Sequence, residues 1–180
     1  MDSALAPVLD YPDDALLGRR REIAAALPQR LESFARWWAG ADPRDLRERY
    51  VADFDLRSGT ALHLTYLRFG DRRERGRALV ALKRLLRESG WELAHWELPD
   101  YLPLLVELAA ADPEVGLPLL AEHRTEIAAI RRTLEAAASP WADVVGAVAD
   151  ELPPADESEV ARLLDEGPPT ELVGLEASAA

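Results

Sequence analysis

Residues 71–90, DRRERGRALVALKRLLRESG, carry the clearest indication of the fold class. On a helical wheel four leucines share one side and four arginines share the other: Leu79, Leu82, Leu85 and Leu86 against Arg73, Arg77, Arg84 and Arg87. An apolar side that recurs at the helical period is typical of an amphipathic α-helix. Asp71 precedes this pattern and Gly90 follows it, as capping and terminating residues do. The stretch therefore predicts a helix from about Arg72 to Ser89, capped by Asp71.

Working outward, proline, glycine and aspartate divide the rest of the chain into helical lengths. Pro12-Asp13-Asp14, Asp42-Pro43 and Asp112-Pro113 are typical helix starts, with acidic residues or proline in the first turn. Further helices are predicted over about 13–27, 31–40, 43–56, 62–70, 100–111, 113–138 with a break near Pro118, 140–149 and 156–165. The sequence has neither strand alternation nor a fixed-period repeat. We expect an all-α, single-domain helical bundle of about nine helices over residues 1–166, with 167–180 as a flexible tail.

The composition excludes several classes of protein. The formal net charge of −12 disfavours general binding to nucleic acid, which requires clustered basic charge. The chain has no cysteine, and its three histidines are scattered, so disulfides, thiolate metal sites and a histidine-built cage are not expected. No apolar run approaches the ~20 residues of a membrane span. Arg19-Arg20-Arg21 resembles a twin-arginine export signal, but Glu22 and Pro28 interrupt the apolar region that must follow. These features predict a cytoplasmic protein.

The chain offers little that resembles a catalytic site. It has no glycine-rich phosphate loop and no serine in a nucleophile-elbow context. Glu92-x-x-His95 is the one metal-like pattern, whereas a di-iron bundle needs two such elements and two further glutamates. Asp53 and Asp55 are close in sequence, but their spacing puts them on different sides of a helix. The arginine side of residues 72–89 is compatible with either a solvated surface or a contact with a partner.

A set of short segments in a fixed order carries more specific information. The densest part comprises YVADFDL at 50–56, LHLTY at 62–66, GDR at 70–72, SGWEL at 89–93 and ELPDYLP at 97–103. LDYPD at 9–13, GPPTE at 167–171 and VGLE at 173–176 fit the same pattern. The set resembles the assembly chaperones for the molybdenum cofactor of respiratory nitrate reductase. These are the delta-subunit or NarJ type, within the helical redox-enzyme maturation chaperones. His63, Ser58-Gly59-Thr60 and Leu108 depart from the family pattern, which affects the expected shape of a groove.

The resemblance implies a chaperone and not an enzyme. Such proteins bind the catalytic α subunit of nitrate reductase in the cytoplasm, through its N-terminal segment. They keep the apoenzyme open for insertion of the molybdenum bis-guanine-dinucleotide cofactor and an iron–sulfur cluster, and they delay docking onto the membrane subunit. The resemblance thus implies no permanently bound cofactor, no metal, no nucleic acid, no membrane insertion, and a monomer or weak homodimer.

Under this resemblance we expect a helix-in-groove mode of peptide binding. Apolar and aromatic residues would line the groove: Tyr50, Phe54, Leu56, Leu62 and Tyr66. For Tyr50 and Phe54, packing in the core is an equal alternative. The turn Glu97-Leu98-Pro99-Asp100-Tyr101 would form one wall, with Asp100 also capping the helix that follows. Asp55 and Glu97 would face basic groups of the partner and contribute orientation and association rate.

Three alternatives stay open from the sequence. The first is a maturation chaperone for another molybdoenzyme, one that carries a twin-arginine leader. The second is a carboxylate-bridged metalloenzyme, which Glu92-x-x-His95 alone supports weakly. The third is a helical adaptor with an unrelated partner.

Overall fold

The computed structural model describes residues 1–94 and 97–169 of the 180-residue chain. Within these ranges it contains eleven α-helices and, in place of a sheet, one isolated antiparallel bridge between His63 and Tyr101. The helices are α1 Leu5–Leu9, α2 Asp14–Ala26, α3 Glu32–Gly40, α4 Pro43–Tyr50, α5 Leu64–Phe69, α6 Arg73–Glu88, α7 Leu102–Ala111, α8 Pro113–Glu122, α9 Arg124–Ala136, α10 Trp141–Ala149 and α11 Glu157–Glu166. The predicted all-α, single-domain class is confirmed, with eleven described helices where about nine were expected.

Four predicted helix starts have the expected local chemistry. The side chains of Asp13, Asp42, Asp112 and Asp156 each accept a hydrogen bond from a backbone N–H in the first turn of α2, α4, α8 and α11. Such a bond satisfies one of the N–H groups that a helix start leaves unpaired. The boundaries of these helices therefore follow from residues close to them in sequence.

The predicted cap at Asp71 is wrong. Helix α6 begins one residue later, at Arg73, and the residue before it, Arg72, makes no capping bond through its side chain. The predicted break near Pro118 is also wrong. Pro118 lies inside α8, and the chain bends at His123, where α8 gives way to α9.

The centre of the core is an aromatic cluster around Trp141 on α10. The Trp141 ring is completely buried and lies 5.1–6.1 Å, between ring centres, from the rings of Trp37, Phe34, Tyr50 and Phe54. Its indole N–H donates to the backbone carbonyl of Val8 at 2.7 Å. The contacts join α1, α3, α4 and α10 into one core. Edge-to-face pairs of this kind add stability beyond the area that they bury.

Contacts between further pairs of helices complete the core. Helix α7 packs on α8 and α1, while α9 packs on α10 and α11. Helix α6 differs from these, because only Leu82 and Leu86 of its residues are buried. Among the residues that the structure describes, no helix has both the length and the apolar content needed to cross a bilayer.

Candidate partner-binding face

Two short segments, 62–65 and 100–102, meet in an antiparallel contact that organises the candidate site. We call this contact the crossing. The Leu64 N–H donates to the Asp100 carbonyl at 3.0 Å, and the Leu102 N–H donates to the Leu62 carbonyl at 2.8 Å. The bridge places the rings of His63 and Tyr101 5.1 Å apart. The start of α5 and the start of α7 are therefore held together by backbone hydrogen bonds.

Asp100 strengthens the same crossing from inside the protein. Its buried carboxylate accepts hydrogen bonds from the backbone N–H and the hydroxyl of Thr65. The Nδ1 atom of His63 lies 3.4 Å from the other carboxylate oxygen. Burial raises the pKa of Asp100, but the bonds from His63 and Thr65 outweigh it and lower that pKa below its ordinary value. Asp100 is thus an ionised cap of α5.

The prediction that Asp100 caps the helix after it is wrong. Helix α7 follows Tyr101 and receives no side-chain cap, whereas Asp100 satisfies an N–H at the start of α5, a helix more than thirty residues earlier in the chain. The carboxylate is turned inward by the crossing of the two segments. An aspartate before a helix can cap a different helix when the chain folds back on it.

Two tyrosines connect this crossing to the N-terminal segment. The Tyr101 hydroxyl donates to a carboxylate oxygen of Asp10 at 3.0 Å, and the buried Tyr50 hydroxyl donates to the Leu9 carbonyl at 3.0 Å. Burial and the nearby charges of Asp10 and Asp55 raise the pKa of both hydroxyls. Both tyrosines therefore stay neutral, and they act here as hydrogen-bond donors.

Apolar and acidic side chains lie near these tyrosines or next in the chain to residues that do. Leu56 is 76% exposed, Tyr11 43% and Leu98 39%, and the Tyr11 ring meets Tyr50 edge-on at 5.6 Å. Leu98 accepts a backbone bond from Tyr101 at 3.2 Å. We define the Tyr101 face as Asp10, Tyr11, Asp55, Leu56, Leu98 and Tyr101. Exposed apolar residues bordered by polar side chains are a common feature of protein-binding surfaces.

Several residues that the sequence placed in a groove lie in the core instead. Tyr50, Phe54 and Leu62 are each 3–4% exposed, so their side chains do not line an open groove. Pro99, like Asp100, is buried beneath the crossing. For Tyr50 and Phe54 the structure has the core alternative, because α4 and the π-helical turn at Val51–Asp55 direct both rings onto Trp141.

The other predicted residues divide between the face and its surroundings. Asp55, Leu56 and Tyr101 lie on the Tyr101 face, where the first two are exposed. Glu97 is half-buried, and its carboxylate accepts the Ala94 N–H at 2.9 Å, closing the preceding loop. Tyr66 is half-buried under the guanidinium of Arg75, 5.4 Å from its ring centre, between α5 and α6.

Comparison with known proteins identifies the family. A family model described as nitrate reductase delta subunit matches residues 20–146. This chain belongs to that family. A relative in Bacillus subtilis, named "Probable nitrate reductase molybdenum cofactor assembly chaperone NarJ", is 32% identical over 152 residues, covering 79% of this chain and 83% of the relative. The Escherichia coli K12 protein named nitrate reductase molybdenum cofactor assembly chaperone NarJ is 37% identical over 117 residues, covering 59% and 50%.

Two further proteins are similar to this chain, one in sequence and one in structure. A nitrate reductase-like protein NarX from Mycobacterium tuberculosis is 40% identical over 149 residues, which are 78% of this chain. The matched part spans only 22% of that longer relative. A crystal structure described as a redox enzyme maturation protein from Archaeoglobus fulgidus aligns with a TM-score of 0.64 at 20% identity, covering 83% of this chain and 90% of that one. This structural similarity supports the all-α fold of the present chain.

Sequence reasoning did not assign Asp10 and Tyr11 to the site. Asp10 and Tyr101 are 91 positions apart, and only the folded chain joins them. The signal in the sequence was weak: an aspartate-tyrosine pair just before Pro12.

The described residues give no support to a metal centre. Among residues 1–94 and 97–169 no group of three or more His, Asp or Glu side chains is arranged to hold an ion. The pattern Glu92-x-x-His95 includes His95, which lies outside the described residues.

Proposed function

We propose that this chain is a maturation chaperone that binds the apo catalytic α subunit of respiratory nitrate reductase. The observation that carries the proposal is membership of the delta subunit family, two of whose members compared above are named as molybdenum cofactor assembly chaperones. In this proposal the chaperone acts in the cytoplasm before the α subunit docks at the membrane. It keeps the client competent for insertion of the molybdenum bis-guanine-dinucleotide cofactor.

The Tyr101 face is the surface that we assign to the client. Leu56, Tyr11 and Leu98 offer apolar contact area on side chains that are already exposed. Asp10 and Asp55 place negative charge beside them, in a protein of net charge −12. The occupant that fits is an amphipathic segment with apolar residues on one side and basic residues at its border. We assign the N-terminal segment of the α subunit to this role.

The architecture suits a binding surface more than a catalytic one. The buried carboxylates near the face and beyond it have structural partners: Asp100 bonds to Thr65, and Glu126 is paired with Arg68 at 2.6 Å. Tyr50 and Tyr101 are held neutral by burial. These groups rigidify the support beneath the face. A rigid support lowers the entropy that is lost when a partner binds.

The test is calorimetric titration of the full chain with a peptide from the N-terminus of the cognate α subunit. We expect one-to-one binding with a negative heat-capacity change, because apolar surface is buried, and weaker binding at high salt, because the acidic border is screened. Leu56→Asp should weaken binding by about tenfold or more, since a charge enters the apolar contact.

The matched control is Val80→Asp on α6, where Val80 is 70% exposed and comparable with Leu56 at 76%. This variant adds the same charge elsewhere and should bind like the parent protein. Equal loss in both variants would remove the Tyr101 face from the proposal. Tighter binding of a twin-arginine leader from another molybdoenzyme would transfer the chaperone role to that client.

A further inference from the structure

Helix α6 concentrates positive charge in an otherwise acidic molecule. Residues 71–90 contain seven basic and three acidic side chains, a formal charge of +4. The net charge of the whole chain is −12, so the remaining residues carry −16. A concentration of one sign on one element creates a strong local potential.

The basic side chains share one exposed side of the helix. At 100° per residue, Arg73, Arg77, Lys83, Arg84 and Arg87 all lie within about 60° of Val80. All five are exposed, and Val80 at their centre is 70% exposed. The opposite side holds Leu82 and Leu86, which attach the helix to the protein. We call these five residues and Val80 the α6 basic face.

The pairing of arginines on α6 differs from that on other helices. Elsewhere many surface arginines pair with a glutamate one turn away, as in Arg36–Glu32, Arg44–Glu48, Arg131–Glu135 and Arg162–Glu166. On the α6 basic face only Arg84 forms an ion pair within the described residues, with Glu88 at 2.7 Å. The other four basic groups make no ion pair with residues 1–94 and 97–169, so nothing in this part of the chain neutralises their charge.

We propose that the α6 basic face binds an acidic segment of a partner polypeptide, in a contact separate from the client contact assigned above. The helix has sixteen residues and offers a strip about 24 Å long. A short acidic segment can lie along this strip and touch Val80 with one apolar side chain. A nucleic-acid duplex or an anionic membrane is larger, and it would also meet the surrounding −16 charge. The small size of a peptide, and the repulsion that a larger polyanion would meet from the surrounding negative charge, thus favour a polypeptide over a duplex or a membrane.

The test uses fluorescence anisotropy of a labelled peptide of glutamates and leucines with the full-length protein. Binding is expected, and it should weaken steeply with ionic strength. Arg77→Glu combined with Arg87→Glu should weaken it by about tenfold or more, because attraction becomes repulsion at two positions. The matched control is Arg19→Glu with Arg21→Glu on α2, which changes the net charge equally; both arginines are exposed.

Each outcome decides the proposal. Loss in the α6 variant alone, with unchanged far-ultraviolet circular dichroism, supports the α6 basic face. Equal loss in both double variants would show a general effect of net charge and overturn it. Tighter binding of duplex DNA or of phosphatidylserine vesicles than of the acidic peptide would overturn the choice of partner. Failure of the α-subunit peptide to bind the Tyr101 face would leave this result untouched.

Discussion

At the scale of residues, a buried carboxylate that bonds to a neighbouring helix stabilises the fold only while it is ionised. Asp100 is such a group: it is fully buried and caps α5 through Thr65. Its pKa in the folded protein is lower than the ordinary value of 3.8. The contribution of Asp100 to the free energy of unfolding is therefore complete above pH 3.8, the pKa of the unfolded chain. It is lost as the pH falls through the lower pKa of the folded state.

Asp100→Asn should lower the free energy of unfolding by about 1–3 kcal/mol at neutral pH. The amide keeps the size but loses the charge, and it turns N–H donors toward other donors. Denaturant unfolding at pH 7 and at a pH well below 3.8 measures the effect, and the difference between the variant and the parent should shrink in acid. Thr65→Val, which removes one donor, should cost less. An equal difference at both pH values would contradict an ionised Asp100.

Residues differ in how far the sequence reveals their role. The caps at Asp13, Asp42, Asp112 and Asp156 bond within the next turn, so local pattern was sufficient to predict those helix starts. The partners of Asp100 and Tyr101 are 35 and 91 positions away. A pattern of neighbouring residues contains no information on such contacts. Half of the predicted site accordingly proved to be core, while Asp55, Leu56 and Tyr101 lie on the Tyr101 face.

At the scale of elements, the close approach of α7 and α8 depends on one glycine. A Cβ on the buried Gly116 would lie 2.3 Å from the Ala109 nitrogen and 2.4 Å from its Cα. Both contacts are with backbone, which cannot rotate away. Gly116 therefore sets the distance between the two helices.

Gly116→Ala should reduce the free energy of unfolding by about 1–3 kcal/mol, because the helices must separate. This loss opposes the usual gain from replacing glycine inside a helix. Gly18→Ala on α2 is the control, since its Cβ would meet nothing within 4 Å, and it should stabilise by about 0.5–1 kcal/mol. Thermal and denaturant unfolding of both variants measure the contrast. Stabilisation by both changes would mean that α7 and α8 are not tightly packed.

Helices that begin at a capping aspartate could be predicted from the sequence, whereas α1, which has no such residue, was not predicted. Helix α1 is five residues long, and Leu5, Val8 and Leu9 are completely buried. It is too short to show a helical period, and it is stabilised by packing on α7 and α10. The bend at His123 was missed because Pro118 was the stronger local signal. Pro118 nevertheless remains inside α8, since the packing of a helix can outweigh one lost hydrogen bond.

At the scale of the whole molecule, burial is distributed unevenly between a central helix and a peripheral one. Seven of the nine residues of α10 are buried, and Trp141 joins it to three other helices through ring contacts and a hydrogen bond. Only two of the sixteen residues of α6 are buried. The cost of opening a segment rises with the apolar area that it exposes. Helix α6 is therefore expected to open at a lower free energy than α10.

Hydrogen exchange of the full chain, followed by mass spectrometry, measures this distribution. Amides of α10 should exchange only through global unfolding, whereas those of α6 should exchange through local opening at a much lower free energy. Leu86→Ala should accelerate exchange in α6 and leave α10 nearly unchanged under strongly native conditions, because Leu86 is one of only two buried side chains on α6. Val80→Ala, at an exposed position of the same helix, is the control and should change neither. Equal protection of α6 and α10 would mean that α6 unfolds only with the core, and its surface would then be as rigid as the support beneath the Tyr101 face.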